Sequence, residues 1–360
     1  MAPASRERLH DALKAVLFPG FRRDIVTLGM VTDVRVDGGV VEVDLRPGSD
    51  KPETLAALRT AIDATLRREP GVERVVVRVA GRDEGRGRDP FAGRAPVGRV
   101  RHVIAVSSVK GGVGKSTVAA NLAVAIAARG RSTGLLDADV YGPSVPIMLG
   151  TSERPRVSPE KRIEPIVAHG VKLMSMGFFL DEQSPVIWRG PIVMGIVRQF
   201  LKDVDWGDTD VLVIDLPPGT GDAPLTLVQQ VPVTGGVVVT TPQDVALLDV
   251  GRGIAMFGQV ATPVLGVVEN MAGYVCPSCG TEDAIFGEGG GARLAEAFDV
   301  PLLARIPLVP AVRAAGDAGR PIVVADPASP VSAAFRALAE RVLAAAEAAA
   351  ATTPVGVAPA

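Results

Sequence analysis

The sequence predicts an α/β chain: a large, doubly wound, mostly parallel sheet behind a small N-terminal α+β domain. Three observations carry that reading. From His102 onward, near-continuous apolar runs alternate with helical stretches, the pattern of strands covered on both faces. Before residue 80 the order is helix, two alternating strands, helix, strand. Between the two lies GRDEGRGRDPFAGRAPVGR (81–99), rich in Gly, Arg and Pro, which reads as a flexible linker.

The small domain begins with a helix over 6–17. The alternating runs VTDVRV (31–36) and VVEVDL (40–45) follow, joined across Asp37-Gly38-Gly39, turn chemistry that fits a hairpin. A helix over 53–68 and a strand over 72–79 complete a three-stranded sheet, expected to have mostly antiparallel neighbours. In the large domain the strand candidates are 103–109, 133–139, 171–176, 210–216, 235–241, 263–270 and 301–307. Helices are expected between them at 116–129, 191–202 and 244–258, with a last one over 329–349. The boundaries expected are 1–80 for the small domain, 81–101 for the linker, 102–345 for the large domain, and a disordered tail over 346–360.

Composition bounds the function classes. A hydrophobic fraction of 47% and a charged fraction of 22% in 360 residues support a buried core without staples. The formal net charge of −2 gives no global pull toward nucleic acid or an anionic membrane, so neither is expected as a partner. The start lacks the apolar run of a signal peptide, and a cytoplasmic location is expected. Three scattered histidines (His10, His102, His169) read as structural or surface residues.

The strand VIAVSSV runs into KGGVGKST (110–117), and a helical pattern follows. Strand, Gly-rich loop, helix is the context of a phosphate-binding loop. Gly111, Gly112 and Gly114 let backbone N–H groups around Val113 turn onto phosphate oxygens at the positive end of a helix. Lys115 supplies a cation for the β- and γ-phosphates of ATP, and Ser116, followed by Thr117, offers a hydroxyl to Mg²⁺. The general pattern G-x-x-x-x-G-K-[ST] wants glycine at 109, where this chain has Val109, followed by Lys110.

That form resembles the deviant Walker A loop of the MinD, ParA and nitrogenase-iron-protein class. The resemblance implies an ATPase that works as a homodimer, with Lys110 reaching the partner's nucleotide as an arginine finger does. Acidic residues end two strand candidates: Asp215 in DVLVID, and Asp137 with Asp139 in LLDAD. Asp215 is placed to hold the Mg²⁺ shell. The same resemblance implies metal support for Asp137 and orientation of the attacking water for Asp139. LPPGTGD (216–222) reads as a γ-phosphate switch, with the Gly219 amide in reach.

Only two cysteines are present, Cys276 and Cys279, in YVCPSCG, expected in a loop after a strand ending at Asn270. By chemistry alone the C-x-x-C pair fits a shared iron–sulfur cluster, zinc, a redox disulfide or no role. A [4Fe–4S] cluster and a Cys₄ zinc site each want four thiolates, which two chains on a two-fold axis supply.

LLDADVYGPSVPIMLG (135–150), VIWRGPIV (186–193), DVLVIDLPPGTGD (210–222) and VENMAGYVCPSCG (268–280) resemble the Mrp/ApbC iron–sulfur carrier family. FGEGGG (286–291) and IPLVPAVRAAGDAGRPI (306–322) extend the likeness over about 103–324. The resemblance implies an ATP hydrolase that binds a labile [4Fe–4S] cluster between subunits, exchanging it with apo iron–sulfur proteins and cluster-assembly scaffolds. It implies cluster ligation by Cys276 and Cys279, and places Asn270 near the adenine. Trp188 and Arg189 of WRGP are further candidates, for packing or function alike. RDIVTLGMVTDVRVDGGVVEVDL (23–45) resembles the PaaD-like domain often fused ahead of these carriers. The segment where such domains carry a cysteine is here RPGSDKPE (46–53), without one, so a docking or assembly role is expected. Competing classes are a positioning ATPase of the ParA/MinD kind, which leaves C-P-S-C without a role, and a redox ATPase like the nitrogenase iron protein.

Overall fold

The computed structural model describes residues 5–19, 24–47, 51–79, 96–139, 142–179, 190–276 and 278–352. Trp188, Arg189 and most of the expected linker lie outside them.

The small domain runs α1 (Arg6–Ala12), a 3-10 turn (Leu13–Ala15), β1 (Val31–Asp37), β2 (Val40–Leu45), α2 (Pro52–Leu66) and β3 (Arg74–Val79). The Asp37-Gly38-Gly39 turn joins β1 to β2 as expected, with Gly38 and Gly39 both at positive φ. The pairing differs from expectation at the next strand. β2 and β3 are parallel, because α2 carries the chain back across the sheet before β3 begins. Leu58, Ile62 and Leu66 form the fully buried stripe of α2, at the i, i+4 spacing of one helix face.

The large domain begins at β4 (Arg99–Ser107), inside the expected linker, and continues α3 (Lys115–Ala127), β5 (Thr133–Asp137) and α4 (Val145–Met148). Short strands β6 (Arg156–Val157), β7 (Ile163–Glu164) and β8 (Ile166–Ala168) precede β9 (Val171–Ser175). Then come α5 (Gly190–Asp203), β10 (Asp208–Asp215), α6 (Asp222–Gln230), β11 (Gly235–Thr240), α7 (Asp244–Gln259), β12 (Val264–Val275) and β13 (Glu282–Asp283). The chain ends α8 (Gly290–Phe298), β14 (Leu302–Leu308), α9 (Pro310–Asp317), α10 (Ile322–Ala325) and α11 (Pro330–Thr352). Among the described residues the main sheet has nine strands in the order β13-β12-β11-β4-β10-β5-β9-β8, with β14 on β12. Its pairs are parallel except β12–β13 and β8–β9.

Two sequence expectations are corrected. α11 runs to Thr352 with Ala346 fully buried, so 346–352 is helix and not tail; the apolar stripe Phe335, Leu338, Ala339, Val342 and Ala346 holds it to the core. β12 does not stop at Asn270 but continues to Val275 and turns back into β13, which makes the cysteine segment the tip of a hairpin.

α3 is buried almost all round, from Val118 to Ile126, and is built largely of Ala, Val and Leu. It is a core helix lying against the sheet, which fixes the loop before it. The small domain packs on the outer helices: the Phe18 ring stacks on Phe298 of α8 with centroids 5.6 Å apart. Lys51 donates to the Glu296 carbonyl at 2.8 Å, and Arg252 of α7 donates to the Thr27 carbonyl at 3.2 Å.

Candidate functional site

In a parallel sheet ligands gather outside the carboxyl ends of the strands. Here β4, β10 and β5 are neighbours in register, so that Asp215 pairs with Asp137 on one side and Val106 on the other. The loop leaving β4 is KGGVGKST. Gly112 and Gly114 both sit at φ 80°, a left-handed backbone that a side chain would strain, and Gly114 caps α3. The backbone thus curls around a cavity of about 190 Å³ lined by Lys110, Gly111, Gly112, Gly114, Lys115, Ser116, Thr117 and Asp139. Those expected residues are brought together.

Lys115 is 6% exposed and donates to Asp215 Oδ1 at 2.6 Å, with Asp139 Oδ2 at 3.6 Å. One ammonium therefore stands between two carboxylates, Asp139 on the cavity wall and Asp215 buried behind it. Asp215 is fully buried, and burial raises its pKa against the pull of Lys115. Its Oδ2 has no hydrogen-bond partner, an arrangement that is costly in a dry interior and that suits the water shell of a divalent cation. With the Ser116 hydroxyl on the cavity wall, these residues fit Mg²⁺.

Asp137 behaves differently from expectation. It does not line the cavity, and both of its oxygens are taken within the chain. Oδ1 accepts from the Asp139 amide at 3.1 Å; Oδ2 accepts from Ser175 Oγ at 2.9 Å and the Val145 amide at 3.3 Å. Burial, and then the neighbouring Asp215, raise its pKa to about 7. Its geometry is that of a brace for the segment carrying Asp139.

Three more expected residues sit behind the cavity wall. The Gly219 amide donates to the Ser108 carbonyl at 2.9 Å, so it is engaged by the loop and not turned into the cavity; Pro218 is the switch residue that reaches the wall. Val113 is buried and points its carbonyl at Asn270, whose Nδ2 donates to it at 2.8 Å. Asn270 lies within β12, braced against the loop, and does not line the cavity. Sequence reading missed Ser108, Ser144 and Met148 on the wall. The Ser108 hydroxyl donates to the Lys110 carbonyl and shapes the first turn of the loop, a contact that the sequence does not announce.

The cysteines occupy the β12–β13 tip, closed by Cys276 N–H to the Thr281 carbonyl and Gly280 N–H to the Cys276 carbonyl. Cys276 is half-buried and Cys279 exposed; neither is in a disulfide. Cys279 Sγ lies 3.2 Å from Thr281 Oγ1, and the Thr281 hydroxyl, with its amide and Cys276, holds the Cys279 thiol below its ordinary pKa. Among the described residues no group of three or more His, Cys, Asp and Glu forms, so the hairpin brings two soft donors and no more.

Residues 99–343 match the family model described as the NUBPL iron-transfer P-loop NTPase. The chain belongs to that family. Residues 6–79 match a second model, described as an iron–sulfur cluster assembly protein. The NTPase chain is 45% identical to the iron–sulfur cluster carrier protein of Synechocystis over 335 residues, 92% of this chain and 94% of that one. Among solved structures, a nucleotide-binding protein of Archaeoglobus fulgidus in complex with ADP is 41% identical, with a TM-score of 0.58 over 66% of this chain and 93% of that one. The cell division ATPase MinD of Pyrococcus furiosus is 25% identical, with a TM-score of 0.53 over 68% and 98%. The P-loop NTPase fold agrees with the sequence reading.

Proposed function

We propose that this chain is an ATP-dependent iron–sulfur cluster carrier. It hydrolyses ATP at the 110–117 loop and carries a [4Fe–4S] cluster as cargo between the hairpins of two copies. It takes the cluster from cytoplasmic assembly scaffolds and delivers it to apo iron–sulfur proteins. The observation that supports this most directly is the C-x-x-C pair at a hairpin tip, with two thiolates where the cargo wants four. Dimerisation supplies the other two. A positioning ATPase, for which the fold is equally suited, leaves that hairpin without a task.

At the nucleotide, Lys115 leaves its two carboxylates to meet the β- and γ-phosphates, and the amides of 111–115 cradle them. Ser116 would hold Mg²⁺ and Asp215 Oδ2 its water shell; the ion, when bound, would neutralise phosphate charge. Asp139, on the cavity wall, orients the attacking water, and Asp137 keeps Asp139 in place. Lys110 acts on the partner's nucleotide, which makes hydrolysis conditional on pairing of two chains. The N-terminal domain, docked on α7 and α8, serves as the contact for assembly partners.

Anaerobic reconstitution tests the reading: about four iron per dimer are expected, lost in Cys276→Ala and in Cys279→Ala. Unchanged iron in both variants sinks it. No helix among the described residues is long and apolar enough to cross a membrane.

A further inference from the structure

The strand that leads to the cysteines also touches the phosphate loop, through the side chains of Asn270 and Met271. Asn270 of β12 is 7% exposed and donates through Nδ2 to the carbonyl of Val113, in the middle of the loop. It fills the space in front of Gly114 so closely that a Cβ there collides with Asn270 Nδ2, and Met271 Cε lies 3.8 Å from the same point. The loop and residues 270–271 therefore cannot move independently.

On the opposite face of β12 the preceding residue is pinned. Glu269 is fully buried, accepting from the Gly291 amide at the start of α8 and from Arg305 Nε of β14 at 2.9 Å. Beyond Asn270 the strand loosens. Asn270 pairs with Ile306 of β14 and the next pair is Tyr274 with Leu308, so three residues of β12 face one of β14. Within that bulge Met271 has φ 60° and Gly273 φ 87°. A left-handed methionine is strained, and such strain persists where the surroundings enforce it. Past the bulge the chain is rigid again: Tyr274 and Val275 pair with Asp283 and Glu282, and Cys276 is bonded to Thr281. A pinned segment, a bulge and a stiff hairpin follow one another within Glu269–Cys276.

We propose that Asn270 is a positioning residue that reads the phosphate loop, and that the 271–273 bulge transmits its state to the cysteine hairpin. This rests on the carrier reading. Phosphates that draw the amides around Val113 and Gly114 inward shift the Val113 carbonyl. Asn270 follows it, Glu269 holds the strand behind, and the displacement leaves through the bulge to Cys276. Coupling of this kind is reciprocal: nucleotide changes cluster retention by the factor by which cluster changes nucleotide affinity.

The test uses full-length dimer reconstituted anaerobically. The equilibrium partition of iron between the dimer and a ferrous chelator is measured with and without ATP, and ATP affinity is measured with and without cluster. In the wild-type chain both ratios are expected to agree and to be about fivefold or more. Asn270→Asp keeps the shape but removes the amide donor, and is expected to bring both ratios to near one while the cluster still loads. Gly273→Ala touches neither site, since nothing lies within 4 Å of its Cβ, yet it disfavours the bulge backbone. It is expected to reduce both ratios with nucleotide affinity of the cluster-free chain unchanged. Wild-type ratios in Gly273→Ala overturn the bulge as transmitter, and wild-type ratios in Asn270→Asp overturn the role of Asn270. A wild-type chain that loads cluster and binds ATP with ratios of one overturns the coupling and leaves the carrier reading standing. Failure to load any cluster overturns the carrier reading itself.

Discussion

Lys115 Nζ lies 2.6 Å from Asp215 Oδ1, at a point where the ammonium is 6% exposed and the carboxylate fully buried. The loop lysine and the strand-end aspartate therefore stabilise each other in the folded chain as well as acting on a ligand. Removing the cation strands a buried negative charge, which in such pairs costs about 3–5 kcal/mol before the carboxylate takes up a proton. Lys115→Ala is expected to abolish ATP turnover and to lower the urea midpoint. Pairing it with Asp215→Asn should recover most of the stability and none of the turnover. Strictly additive midpoints in the double variant contradict the pairing.

Gly114 is required twice over. Its φ of 80° disfavours any side chain, and a Cβ there meets Asn270 Nδ2 and Met271. Gly114→Ala is expected to destabilise the fold by about 2 kcal/mol, from backbone strain and overpacking together. Adding Asn270→Ala should recover the packing part alone. A Gly114→Ala chain with unchanged stability and nucleotide affinity contradicts the close approach.

What was legible in the sequence was what is local. The phosphate loop, the buried strands and the strand-end aspartates each announce themselves within ten residues or so, because a continuous apolar run followed by glycines has few other uses. The course of β12 was not legible: Glu269-Asn270 interrupts the apolar run and reads as the end of the strand, whereas a bulge lets the strand resume at Tyr274. The parallel pairing of β2 with β3 depends on where α2 returns the chain, which no local pattern encodes. Among site residues, Asp137, Gly219 and Asn270 were found by type, but the contacts that hold them behind the cavity wall were not legible. Their partners Ser175, Ser108 and Val113 come from other parts of the chain.

The contact between the small domain and the NTPase rests on aromatic packing. Phe18 and Phe298 are each 1% exposed and stack nearly parallel. Phe18→Ala removes a buried ring and is expected to destabilise the chain by about 3 kcal/mol. Amide exchange in α8 should quicken as the docked face opens. An unchanged exchange rate contradicts a docked arrangement held by this pair.

His102 makes the acid side of the stability profile testable. It lies on β4 beside Val211, 6% exposed, and neither ring nitrogen has a partner. Burial, and then Arg101, lower its pKa from 6.5, so the folded chain holds the ring neutral while the unfolded chain takes up a proton below that value. The sign follows: the contribution is fully present above pH 6.5 and is lost as the pH falls, because the unfolded state then binds more protons. His102→Leu removes both the unpaired nitrogens and the titration. It is expected to raise stability at pH 7.5 by about 1 kcal/mol, the scale of an unsatisfied buried polar group. It should also narrow the gap between urea midpoints measured at pH 7.5 and pH 5.5. An equal gap in the variant and the wild-type chain means that His102 is not the group that titrates.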